Sequence, residues 1–144
     1  FSPQVNEARY NGYFDTLAQQ GLEADPRYVL DIEPSLEAGE QAMARLLTLE
    51  KRPTAVFCTN DTVAAGAMKA VIRAGLRIPE DVAIVGFDDS SVSRIVEPEL
   101  TTVRIDMDQM GRLAAEKLFS LIDGASLEET KIVIPTELIV RKSS

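Results

Sequence analysis

Histidine is missing from this 144-residue chain, and cysteine occurs once, at Cys58. Without histidine there is no serine–histidine triad, no cysteine–histidine dyad and no histidine-built zinc site. A single cysteine allows no internal disulfide, which fits a reducing cytoplasm. No apolar run approaches the ~18 residues that mark a membrane span. Phe1-Ser2-Pro3-Gln4 carries no basic patch followed by an apolar stretch, so no signal peptide is expected there. Neither a Gly-x-x-x-x-Gly-Lys-Ser/Thr loop nor a Gly-x-Gly-x-x-Gly turn occurs. Basic residues are the minority, 15 against 23 acidic, for a formal net charge of −8. Such a domain repels phosphates and is a poor nucleic-acid binder by itself.

What is present suits one soluble domain with a real core: 45% of residues are hydrophobic. Residues 6–20 read as a helix closed by Gly21, and 28–31 as a short strand. Ser35 can cap a helix running to about Leu49, with Ala42, Met43, Leu46 and Leu47 on one face. Pro53 precedes an apolar run at 54–59. Asn60 or Asp61 caps the next helix, 62–74, which Gly75 ends. Residues 82–86 form a second apolar strand. Strands apolar on both faces and alternating with helices predict an α/β fold, a parallel sheet flanked by helices. After Asp88 the rhythm changes: 101–105 is extended, a helix covers about 108–123, and 131–134 and 137–140 are short strands around Pro135. Residues 124–130 are the best linker candidate.

Ligands of open parallel sheets bind beyond the carboxyl ends of the strands. Two such ends are polar here, Asn60-Asp61 and Asp88-Asp89-Ser90-Ser91. Carboxylates and an amide at a cleft suit hydroxyl-rich or amine-bearing ligands. The same spacing equally fits Asn60 and Asp89 as caps of the next helix or turn. Asp88-Asp89 also has the chemistry to hold Mg²⁺ or accept a phosphoryl group, but no phosphate-binding loop accompanies it. Ser90 and Ser91 have no histidine base, and Cys58 reads as an inert core thiol. The 62–74 helix is apolar well beyond one face, through Val63, Ala67, Met68, Val71 and Ile72. Its second face packs either on a neighbouring helix or on a second subunit.

Taken together, the motifs resemble the lactose/galactose-repressor (LacI/GalR) family. They are Arg9-Tyr-Asn-Gly12, Arg52-Pro-Thr-Ala-Val-Phe-Cys-Thr-Asn-Asp61, Val63-Ala-Ala-Gly-Ala67, and Gly75-Leu-Arg-Ile-Pro-Glu-Asp-Val-Ala-Ile-Val-Gly-Phe-Asp-Asp89. Pro98-Glu-Leu-Thr-Thr-Val103, Met110-Gly111, Ala114-Ala115 and Pro135-Thr-Glu-Leu-Ile-Val-Arg141 continue the match in order. The resemblance implies a periplasmic-binding-protein-like (type I) fold and the C-terminal part of an effector-binding domain. Residues 1–105 and 130–144 would form the C-terminal subdomain, and 106–129 a crossover helix of an N-terminal subdomain missing from this chain. Effector contacts carry over to Arg9, Asn60 and Asp88, with Tyr10, Tyr13 and Phe87 as pocket aromatics. A dimer interface falls on Val63, Ala67, Met68, Val71 and Ile72, and on the segment 90–98. The implied partners are a sugar or small-metabolite effector, a second copy, and operator DNA through a headpiece not in this chain. No cofactor, metal, membrane or catalysis is implied. The rival readings are a transporter's periplasmic sugar-binding protein, and an enzyme built on Asp88.

Overall fold

The computed structural model describes residues 3–124 and 131–144, with side chains from residue 7 onward. The order is α1 (Pro3–Gln19), a single 3-10 turn (Pro26–Tyr28), α2 (Leu36–Leu47), β1 (Ala55–Phe57), α3 (Asp61–Arg73) and β2 (Ala83–Asp88). Then come α4 (Val92–Ile95), β3 (Thr101–Ile105), α5 (Met107–Ile122) and β4 (Thr136–Ile139). One four-stranded sheet is ordered β1-β2-β3-β4. The first three strands are parallel, and β4 runs antiparallel to β3. The sheet is therefore mixed at one edge, where β4 pairs antiparallel with β3 although α5 lies between them in the chain.

Local chemistry sets the helix ends. Ser35 Oγ accepts the Ala38 N–H at 3.1 Å and starts α2. Asn60, not Asp61, caps α3, its Oδ1 accepting the Val63 N–H at 2.8 Å. Gly75 sits at φ 73° just past α3. The Gly75 N–H reaches Ile72 O and the Leu76 N–H reaches Val71 O, the paired bonds by which a left-handed glycine closes a helix.

The core lies between α2, α3 and the sheet, with Met43, Leu46, Val71, Val82, Ile84 and Leu100 at its centre. α2 and α3 approach so closely that a Cβ on Gly39 would overlap the Val63 carbonyl, and one on Gly66 the Leu36 carbonyl. Lys69 and Arg73 on α3 pair with Glu40 on α2. This arrangement corrects the expected dimer surface. Val63, Ala67, Met68 and Val71 are buried inside their own chain, because α3 gives one face to the sheet and another to α2. Only Ile72 of that set stays open, 53% exposed.

Two expected strands are absent. Around 28–31 the chain forms the 3-10 turn, capped by Asp25 accepting from the Arg27 N–H, and leaves it with Val29 extended, with no ladder partner for 28–31 among the described residues. Leu30 and Ile32 still pack on the core, which accounts for their apolar pattern. Residues 131–134 are irregular, and pairing begins at Thr136. The expected linker lies outside the described residues, apart from Gly124. Beyond β4 the chain is sewn into the sheet at Ser143. Its Oγ accepts the Thr101 N–H at 2.8 Å and donates to Ile84 O at 2.6 Å. The described helix α5 buries no residue. Among the described residues no helix is long and apolar enough to cross a membrane.

Candidate functional site

The strands β1, β2 and β3 are parallel, so their carboxyl ends share one edge of the sheet. α1 reaches that edge through Arg9. Its Nη1 donates to the Thr59 carbonyl at 2.6 Å, one residue before Asn60. Its guanidinium also lies 3.7 Å from the centroid of the Phe87 ring, a cation over an aromatic face. Phe57 meets Phe87 edge to face, with centroids 6.5 Å apart. Asp88 follows Phe87 and is half-buried. Burial lowers Arg9 from its ordinary value while the Asp88 charge opposes that fall. Burial raises the Asp88 carboxyl, Arg9 pulls it back, and the charge of Asp61 pushes it further up. Arg9, Asn60, Phe87 and Asp88 thus gather at one end of the sheet, with an aromatic wall, a cation and a carboxylate of perturbed affinity for protons. Such a set can hold a hydroxyl-bearing ring: the aromatic face takes C–H groups, and the carboxylate and amide take hydroxyls.

Asn60 caps α3 through Oδ1, so the capping use foreseen for it is real, and its amide nitrogen is the remaining donor. The described ring contacts of Tyr10 and Tyr13 run to Phe14 of their own helix, at 4.4 and 5.2 Å, rather than to Phe87.

Among the described residues Asp89 caps no helix. Its side chain is 2% exposed and meets Arg141 at 2.5 Å, Arg104 at 2.8 Å and Arg94 at 3.6 Å. The Ser93 hydroxyl donates to it at 3.0 Å. Burial pushes this carboxyl up, but the hydrogen bonds from Arg141, Arg104 and Ser93 outweigh burial and hold it at about 2. Both its oxygens are engaged by the chain's own donors, which argues against a phosphoryl acceptor or a metal ligand there. Ser90 is likewise engaged: its hydroxyl donates to Asp61 at 3.0 Å. Burial, helped by the charge of Asp61, pushes the Cys58 thiol up to about 12, which leaves almost no thiolate at neutral pH.

Sequence reasoning placed Asp61 at a polar strand end and as an alternative cap without foreseeing its role, and it did not single out Phe57, Thr102, Arg104 or Arg141. Asp61 carried one signal, an acid at the start of a largely apolar helix. The arginines carried none, since their common partner is fixed by strand pairing far along the chain.

A family model described as a periplasmic binding protein-like domain matches residues 2–144. The probable repressor ExuR of Bacillus subtilis is 41% identical over 96% of this chain and 41% of its own length. The regulator GalR of Escherichia coli is 44% identical, over 96% of this chain and 40% of its own. The solved regulator CelR in complex with cellobiose superposes with a TM-score of 0.90 and 36% identity, over 94% of this chain and 42% of that one. The chain therefore spans about two fifths of the length of the relatives it matches.

Proposed function

From the premise that this chain belongs to the periplasmic binding protein-like domain family, in the form that LacI/GalR-type regulators carry, we propose that it is the effector-binding and dimerisation portion of a cytoplasmic transcription regulator. Arg9, Asn60 and Asp88 contact a sugar or small metabolite, and Phe87 backs them. The observation that carries this is the Arg9 guanidinium seated on Phe87, tied to the carbonyl before Asn60 and coupled to Asp88. The relative solved with cellobiose favours a sugar. Tyr10 and Tyr13, exposed on α1, would close on the ligand from the rim.

Binding and signalling, not catalysis, is the role. Of the groups weighed for an enzyme, Ser90, Cys58 and Asp89 are each engaged or held unreactive within the chain, and Asp88 is coupled electrostatically to Arg9. The second copy docks on the surface that Ile72 and Ile95 keep exposed, not on the buried face of α3. α5 packs against a neighbouring subdomain, for which Met107, Leu118, Phe119 and Ile122 stand exposed. Effector contacts from both subdomains then favour a closed cleft and change the spacing of DNA-binding headpieces, a coupling of two sites through two global states.

A thermal-shift screen of monosaccharides, disaccharides and nucleobases tests this in the full-length protein, followed by operator-release assays with each hit. A sugar or metabolite that both raises the melting temperature and changes operator affinity is expected. The 144-residue chain alone should bind the same compound far more weakly and should bind no operator. Tight sugar binding by the chain alone, or no compound that affects operator binding, contradicts the proposal.

A further inference from the structure

Asp61 stands one residue beyond Asn60 and is 1% exposed. Asn60 already caps α3, so the Asp61 carboxylate is committed elsewhere. Its Oδ2 accepts the Ser90 N–H at 2.7 Å and the Ser90 hydroxyl at 3.0 Å. Its Oδ1 accepts the Thr102 hydroxyl at 2.6 Å. Gly86 leaves room for it: a Cβ there would come within 2.5 Å of Oδ1. One buried carboxylate thus joins the start of α3, the loop after β2 and strand β3. Between these anchors lie two consecutive non-glycine residues in the left-handed region, Asp88 at φ 104° and Asp89 at φ 51°. That backbone is costly for L-residues and persists only where its surroundings impose it. Asp61 restrains it from Ser90, and the arginines restrain it at Asp89.

We propose that Asp61 is a positioning residue for effector recognition: by anchoring Ser90 and Thr102 it holds the Asp88 backbone in the conformation that brings its carboxylate beside Arg9. This rests on the reading of Asp88 and Arg9 as effector contacts. Asp61 donates nothing to the ligand and acts only through the loop. The charged groups acting on Asp88 are Arg9 from α1 and Asp61 from α3. Arg104, its register partner on β3, gives its guanidinium to Asp89 and Glu137 instead.

Nuclear magnetic resonance of the whole chain without any ligand tests the proposal. Asp61→Asn keeps the shape but leaves one acceptor oxygen for three donors. The Ser90 amide should then exchange with solvent about tenfold faster or more, as expected when a hydrogen bond to a charged group is lost. The Asp88 Cα chemical shift, which reports its backbone angles, should move as the positive φ is no longer imposed. Amides of Met43 and Val71 should keep their protection. Unchanged Ser90 exchange and an unchanged Asp88 Cα shift would overturn the proposal. So would an equal loss of protection at Met43 and Val71, which would make Asp61 a general structural residue. If Asp61→Asn does not fold, Thr102→Val removes one anchor and should move Ser90 and Asp88 in the same directions. Thr102→Ser, which keeps the hydroxyl, should restore both; Ser90 and Asp88 unmoved in Thr102→Val, or unrestored in Thr102→Ser, also overturns it. Because no effector enters the measurement, its failure removes this inference alone, while failure of the effector reading would appear in the ligand screen.

Discussion

Replacing Asp89 by Asn keeps the side chain's shape and removes its charge. Burial raises the Asp89 carboxyl, yet bonds from Arg141, Arg104 and Ser93 hold it at about 2, against 3.8 for an ordinary aspartate. Each pKa unit corresponds to ~1.4 kcal/mol, so the depression sets an upper bound of ~2.5 kcal/mol. Arg94 and Arg104 remain 64% and 43% exposed, and water screens their share. About 1–2 kcal/mol is therefore the expected contribution of the ionised carboxylate. A depressed folded-state value stabilises fully above the unfolded value and is lost as pH falls through the folded one. The window here is from about 4 down to about 2. Urea unfolding followed by circular dichroism, for both proteins across pH 7 to 2, reads the difference directly. Asp89→Asn should be less stable by about 1–2 kcal/mol at pH 7 and pH 5. The gap should narrow below pH 4 and largely close near pH 2. A gap that stays constant down to pH 2, or that is absent at pH 7, would refute the claim that the ionised Asp89 holds this loop.

Two further outcomes probe the core. Gly66→Ala sets a methyl against the Leu36 backbone carbonyl, which no rotamer change relieves, so thermal unfolding should show a loss of about 1–3 kcal/mol; wild-type stability would mean that α2 and α3 do not touch through their backbones. Cys58 should resist a disulfide-exchange reagent at pH 8 in the folded chain and react fully in urea, since its thiol lies near 12; rapid labelling of the native chain would contradict its burial.

Much of this fold is written locally. The caps Ser35 and Asn60 and the closing Gly75 bond to backbone within a few residues, so their chemistry is visible in sequence. The apolar strands β1 and β2 follow in the same way. Residues 28–31 were misleading because Tyr28 and Leu30 are apolar for packing on the core, whereas a strand also needs a ladder partner. The breadth of α3 announced two buried faces but not what covers the second. That depends on Gly39 and Gly66 meeting across two helices. Asp88 and Asp89 are chemically alike and adjacent. Which of them faces the site depends on positive φ values and on Arg104 and Arg141, brought in by β3 and the segment after β4. The partners of Asp61 were hidden for the same reason: Ser90 comes from the loop after β2 and Thr102 from β3.

The proposed effector contacts are Arg9 and Asp88. Calorimetric titration of the first sugar or metabolite found by the screen, into the full-length protein and its Asp88→Asn variant, tests that proposal most directly. Loss of a charge-assisted hydrogen bond predicts binding weaker by roughly 10- to 100-fold. Operator affinity without effector should stay within about twofold of wild type, since Asp88 meets no DNA in this account. Effector binding by Asp88→Asn as tight as wild type would contradict the account.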